Sequence, residues 1–454
     1  MAYRKWQKKK TSLSIEELTQ QEVQTRMIDR TKKGRCEYIP HFYGVHSGLT
    51  GARLGELVAH KIPDDAYGVE WNLSDSSSAL TRIGKAAGMV AADFNSIEPF
   101  ASIERMTLDS DGNWVASFGD AGFVEDGTAG DVVSRFKKFW WFGYYSPDDG
   151  KVRMYFSPEP MPGFAPFGSF ITGGQELEEI YLGAYEGTVQ KISDSSWIED
   201  PSDGSAPILI ASGDLANYML RSVSGRKPKS NQTLPEFRTM AENRGTGWGL
   251  VDLKQAGMVN LLYLIKYANF NAQTQIGQGI TGKASGTGNE SKLTGATASL
   301  GAVDAGGTNL EAVSLFGLEN WWGNIWEWTD GGGIKSDGYY VAPDRPYNNT
   351  LNGYTKIPCS PPTTSGWLKD FYWAQDSKGL FLPKSIQTDS PSSAKYVCDY
   401  LYVPSSYGTN CFQRGGRWSN GSIAGPFCWT LTYSFALRDR NVGARACYVP
   451  TVGE

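Results

Sequence analysis

The chain has 454 residues, a net charge of −5, 53 glycines and 13% aromatic residues. That length and composition suit two or three packed, loop-rich domains rather than disorder, and the charge offers no general attraction for nucleic acid. Apolar runs such as Leu261–Ile265 are too short to span a membrane, and no secretory signal follows the basic start at Arg4, Lys5, Lys8, Lys9 and Lys10.

Residues 1–35 read as a polar helical leader. Ser14 and Glu17 form a capping box, acids Glu16 and Glu17 open the segment, and Arg26, Arg30, Lys32 and Lys33 close it before Gly34. That charge order complements a helix dipole. The apolar stripe (Ile15, Leu18, Val23, Met27, Ile28) is thin, so the leader reads equally as a docking helix or as a solvated one.

Residues 36–164 read as a mostly-β domain. Gly68–Leu73, Trp114–Phe118 and Val152–Phe156 have strand character, and the turns predicted between strands are Asp109–Asn113 and Pro147–Gly150. Asp109, Asp111 and Asn113 start like a calcium loop, but Trp114 stands where that loop needs glycine, so turn chemistry is the better reading. The aromatic run Phe136–Tyr145 reads as a core or subunit-contact strand. Pro158–Gly163 reads as a linker.

Beyond it, Ile180–Gly187 is a predicted strand. One helix starts at the capping box of Thr233 and Glu236, with Pro235 in its first turn, and stops at Gly245. A second runs from about Asp252, with Ala256, Val259, Leu262 and Ile265 on one face. Residues 277–308, rich in Gly, Ser and Thr, read as a long surface loop.

Six cysteines form no CxxC pair, so the spacing of a structural zinc site is absent. Cys398 and Cys411 could bridge a loop in an oxidising setting; free thiols are the reading that a cytoplasmic origin favours.

Gly317–Asp330 packs four tryptophans around Glu327. A carboxylate in so apolar a setting needs a cationic partner, and Arg445 is the candidate. Near the C-terminus, about 414–448, rigid positions alternate with chemically unpatterned ones. Gly415, Gly416, Trp418, Asn420, Gly421, Ala424, Gly425, Asn441, Gly443 and Arg445 look like a frame. Arg417, Ser419, Ile423, Cys428, Thr430, Thr432, Tyr433, Phe435, Leu437, Asp439 and Arg440 look like interchangeable occupants. Such a pattern suits a binding surface, because catalysis fixes its groups in type and place.

Three ordered motifs carry a resemblance: Gly323–Trp328, Arg414–Trp418 and Asn441–Arg445. Residues 165–454 thereby resemble the formylglycine-generating-enzyme branch of the C-type lectin fold. The resemblance implies an α+β chain: a C-type-lectin-like domain over 165–454, preceded by the mostly-β domain and the short helix. Trp326, Glu327, Trp328, Gly416, Trp418, Asn420, Asn441, Gly443 and Arg445 become its structural scaffold. The enzymes of that branch use a cysteine pair after the Gly-Gly-Ser-Trp-like motif. Here Ser419–Ile423 follow Trp418, Cys428 is the first thiol, and no second lies close. All three histidines (His41, His46, His60) precede the lectin-like part. The expectation is a protein that is not an enzyme.

The stretch from Gly415 to Arg445 is more closely similar to the variable region of target proteins of diversity-generating retroelements, the phage tropism-determinant type. In that family, errors copied at template adenines turn AAC codons into many others. Codons ending in C never encode Lys, Glu, Gln, Met or Trp; from Arg414 to Pro450 none of the first four occurs, and Trp418 and Trp429 must then be fixed positions. Ala79–Gly84 and Gly119–Gly127 resemble parts of phage tail or virion proteins. The resemblance implies a receptor-binding protein of the phage virion, its occupant residues forming the receptor-contact face. The implied partners are a host cell-surface protein or glycan, other tail proteins and sister copies, a trimer for preference, with no nucleic acid and no membrane insertion. No cofactor is implied; a calcium ion is allowed by analogy, with no ligands assigned. The alternative is a fixed virion protein whose lectin-like domain serves packing or adhesion.

Overall fold

The computed structural model describes residues 65–372 and 379–451. The expected leader helix, Cys36 and the three histidines lie outside them. The architecture is mostly β with few helices, an α+β arrangement, and one sheet curls into a half-barrel.

Alternating residues build the first sheet. Its five antiparallel strands run in the order Thr81–Gly84, Tyr67–Asn72, Lys151–Ser157, Trp140–Ser146, Ala165–Pro166. Val69, Trp71, Val152, Met154 and Phe156 face the core, whereas Glu70, Lys151 and Arg153 pair with one another on the other side. The predicted turn Pro147–Gly150 closes the hairpin of its two middle strands. Pro158–Gly163 is not a linker between domains: it joins two segments of this one sheet.

The second sheet removes the expected boundary at 164. Its six strands run in the order Trp248–Leu250, Ala446–Tyr448, Glu179–Gly183, Asp131–Lys137, Glu104–Leu108, Trp114–Ser117. Three strands from each side of residue 164 join in it, because Asp131–Lys137 satisfies one edge with Glu104–Leu108 and the other with Glu179–Gly183. Buried charges cross the same boundary. Asp131 accepts from Arg221 Nε at 2.9 Å, and Arg105 Nε donates to the Gly317 carbonyl at 2.8 Å. At the Asp109–Asn113 turn the Asp109 carboxylate accepts from the amides of Asp111 and Asn113, both at 2.9 Å.

Both predicted helices are present. α1 (Leu234–Glu242) is capped by Thr233, whose hydroxyl accepts from the Glu236 amide while Glu236 accepts from the Thr233 amide. α2 (Leu253–Tyr267) is capped by Asp252. It was expected to bury one face; instead it is covered almost all round, from Leu253 to Lys266, because the first sheet and the strand Trp326–Lys335 both pack on it. Two of its buried polar residues, Asn260 and Lys266, reach across to other elements. Asn260 donates to the Pro426 carbonyl at 3.0 Å and accepts from Trp321 Nε1 at 3.2 Å, and Lys266 pairs with Asp304 at 2.7 Å.

The segment 277–308 is irregular and surface-lying in part, as at Leu293 and Val303, but it also enters the interior. Thr281, Asn289, Ser291, Thr294 and Thr297 are buried. Side chains satisfy its backbone: the Glu319 carboxylate takes the amides of Gly295 at 2.8 Å and Thr297 at 2.7 Å.

Candidate functional site

The third sheet carries the site. Trp326–Lys335 runs antiparallel to Asn410–Gly415 and parallel to Val442–Ala444; Gly425–Thr430 lies beyond Asn410–Gly415, and Tyr400–Tyr402 beyond that. Register sets Glu327 opposite both Arg414 and Gly443. The predicted partner is present: Arg445 Nη2 donates to Glu327 Oε1 at 2.6 Å and Nε to the same oxygen at 3.0 Å. All five donors of Arg445 are used, the others going to the carbonyls of Gly183, Ala184 and Glu319 at 2.7–3.0 Å. A second cation escaped the sequence reading. Arg414 Nη2 donates to Glu327 Oε2, Nη1 donates to the Trp321 carbonyl at 3.0 Å, and the guanidinium lies 3.3 Å from the Trp321 ring centroid. Burial draws the Arg414 pKa down to about 10, against the pull of Glu327, so it remains charged at neutral pH.

The frame residues around this triad hold the loops. Trp418 is buried against Ile280 and Ile325, and its amide donates to the Asn324 carbonyl at 3.1 Å. Gly416 has φ +84°, and a Cβ there would lie 2.7 Å from that of Ala424, so only glycine suits the turn. Asn420 ties the loop that bears Arg417 and Ser419, its Oδ1 accepting from the Arg417 amide at 2.8 Å. Asn441 donates its amide to Asp439 Oδ1 at 2.8 Å, and its carbonyl accepts from the Trp326 amide at 3.0 Å. Trp328 Nε1 reaches the Gln232 carbonyl at 3.2 Å.

The occupant positions divide. Arg417, Ser419, Ile423, Thr432, Leu437, Asp439 and Arg440 are half-buried at the surface, and Tyr433 is 37% exposed. Arg440 is anchored on the Gly288 carbonyl, and Leu437 and Ile423 lean on the buried cluster that holds Trp326 and Trp328. Three positions must be corrected. Cys428, Thr430 and Phe435 are buried and cannot contact a partner. Cys428 and Thr430 lie on Gly425–Thr430, an interior strand covered on both faces, and Phe435 packs with Cys428, Trp326 and Trp328 in one cluster. Burial pushes the Cys428 thiol well above its usual pKa, so it lacks the thiolate character of a reactive cysteine.

Tyr402 is a surface residue that the sequence reading passed over. It is half-buried, meets Trp326 edge-on at 6.1 Å and interacts with Arg417 and Tyr433, while burial raises its hydroxyl pKa to about 12. Tyr400 packs on it at 4.7 Å. The alternation Tyr400-Leu401-Tyr402 was the available signal.

The five described cysteines are free thiols, so Cys398 and Cys411 form no bridge. Among the described residues no group of three or more acidic, histidine or cysteine side chains could hold a metal ion. Both Glu327 oxygens are already engaged by arginines.

One buried carboxylate has no such cation. Asp399 accepts from the Phe427 amide at 2.7 Å, and burial pushes its carboxyl well above the usual range. A folded pKa above the unfolded value (about 3.9) means that this group's contribution is fully present below pH ~4 and is lost as pH rises through the folded pKa. Asp399→Asn should therefore gain thermal midpoint relative to the parent between pH 5 and 8. Parallel midpoint curves across that range would disprove the assignment.

Compared with known proteins, the chain matches no protein-family model and no curated protein sequence.

Proposed function

We propose that this chain is a receptor-binding protein of a phage virion, built on a C-type-lectin-like domain of the formylglycine-generating-enzyme type. Its strip would be diversified by a retroelement to follow changing host-surface ligands. The observation that supports this most is the division of burial along the strip. Trp418, Asn441, Gly443 and Arg445 are buried together with Trp326, Glu327 and Trp328, whereas Arg417, Ser419, Thr432, Tyr433, Asp439 and Arg440 reach the surface. By hydrogen bond, Asp439 alone of the second set is tied through its side chain to one of the first, at the Asn441 amide.

The partner is a protein or glycan of the host surface, and the function is binding rather than catalysis. Other tail proteins and sister copies, a trimer for preference, complete the assembly. No helix of the described residues is long and apolar enough to cross a membrane.

Sequencing the 3′ end of the gene in a propagated population, with the adjacent genome, tests the reading. We expect a near-identical template repeat beside a reverse-transcriptase gene, with adenine-directed differences at the codons for Arg417, Ser419, Ile423, Thr432, Tyr433, Leu437, Asp439 and Arg440. An invariant 3′ end without that repeat would instead make the chain a fixed virion protein.

A further inference from the structure

One enclosed lysine has no counter-charge of its own. Lys227 is 5% exposed, and among the described residues its ammonium makes no hydrogen bond, ion pair or ring contact. Acids are not lacking nearby: Glu290, Asp200 and Glu199 all act on it. Each of them, however, already has a base. Arg226 pairs with Glu199 at 3.3 Å, Lys229 with Asp200 at 2.6 Å, and Lys283 with Glu290 at 3.6 Å. Lys227 is the cation left over. An enclosed ammonium without a partner is costly, so a fold that keeps one gains from an anion that comes to it. Burial, and after it the like charge of Lys283, draw the Lys227 pKa below its usual value, as expected where negative charge is short.

The backbone holds this residue in place from both sides. The Arg226 carbonyl accepts from the Thr294 amide at 2.9 Å, the Pro228 carbonyl accepts from Asn289 Nδ2 at 2.8 Å, and the Lys229 amide donates to the Gly187 carbonyl at 2.8 Å. Little freedom is left to lose when an ion binds. The ammonium keeps access to solvent. The surroundings also adjoin the strip. Lys283 donates its amide to the Trp418 carbonyl at 2.7 Å, and Arg440 holds the same loop at the Gly288 carbonyl and, at 3.5 Å, at Ser285 Oγ. The loop 283–290 thus links Lys227 to two residues of the strip.

We infer that Lys227, supported by Lys283, binds an oxyanion group (carboxylate, phosphate or sulfate) carried by the partner of the strip. An ammonium takes such a group as a point charge, without the fixed fork of a guanidinium. The site therefore selects for charge and leaves shape to the strip. The source of the group rests on the receptor-binding reading; the anion site itself does not.

Thermal midpoints of the full-length protein, in sodium phosphate and in sodium chloride of equal ionic strength, test the anion site. An ion that binds only the folded state raises the midpoint. The parent should gain more in phosphate than Lys227→Met gains, which subtracts the general stabilisation by that salt, and Lys227→Arg should keep the parent's gain. In chloride, Lys227→Met should melt no lower than the parent, because an uncompensated charge has been replaced by an apolar chain of similar size. A lower midpoint there, or equal gains in phosphate for the parent and Lys227→Met, would overturn the proposal. Attachment to host cells tests the source. Lys227→Met should weaken it about tenfold, the loss of one charge-assisted contact, and Lys227→Arg should retain it. A phosphate gain that depends on Lys227 with attachment unchanged would overturn the link to the partner and leave a site for the free ion. A parent protein that attaches to no host cell would instead sink the receptor-binding reading, with the phosphate result unaffected.

Discussion

Replacing Glu327 with Gln is expected to cost about 3–5 kcal/mol of stability, because two guanidinium groups would be left buried without a counter-charge. The two arginines should not be equal. Arg445→Met leaves Glu327 with Arg414 alone and also frees the carbonyls of Gly183, Ala184 and Glu319, which Arg445 ties to the third sheet. Arg414→Met frees only the Trp321 carbonyl besides Glu327 and leaves Arg445 in place, so it should be the milder change. Thermal midpoints of the three variants decide this. Midpoints like the parent's for Glu327→Gln and Arg445→Met would refute the triad as the support of the frame. Equal losses for both arginine variants would refute the ranking alone.

Tyr433→Ala should leave the midpoint unchanged and weaken attachment to host cells at least ~30-fold, the equivalent of about 2 kcal/mol at a binding hot spot. Tyr433 is the only large aromatic side chain of the strip that is exposed, and it interacts with Arg417 and Asp439. Phe435→Ala, two residues on, should behave in the opposite way and lose about 3–5 kcal/mol of stability, since its ring fills the cluster around Trp326 and Trp328. Midpoints and cell binding of both purified variants separate the cases. A Tyr433→Ala protein as unstable as Phe435→Ala would place Tyr433 in the core and remove it from the contact face. Many copies on one particle would raise avidity by roughly 10² to 10⁴, so binding is best compared with the free protein.

Local chemistry was legible in the sequence. The caps at Thr233 and Asp252 were readable because capping needs only neighbours in the chain. Glu327 announced its need for a cation, since a charged carboxylate buried among tryptophans needs a counter-charge, and Arg445 answered it. Arg414 was missed because its role comes from register: it faces Glu327 across two strands separated by most of a hundred residues. The boundary at 164 failed for the same reason, as nothing local says that Asp131–Lys137 pairs with Glu179–Gly183. The burial of Cys428 was more avoidable. Pro426-Phe427-Cys428-Trp429 is a short continuous apolar run, the mark of a strand covered on both faces, whereas Cys428 considered by itself reads as an interchangeable occupant.

The position of Ala446–Tyr448 bears on how the protein is made. This strand lies inside its sheet, between Glu179–Gly183 and Trp248–Leu250, although both of its neighbours precede it by a long stretch of chain. Until it is made and inserted, both neighbours hold open edges and Glu327 lacks Arg445. A premature stop or frameshift before Arg445 therefore yields a product whose second sheet cannot close.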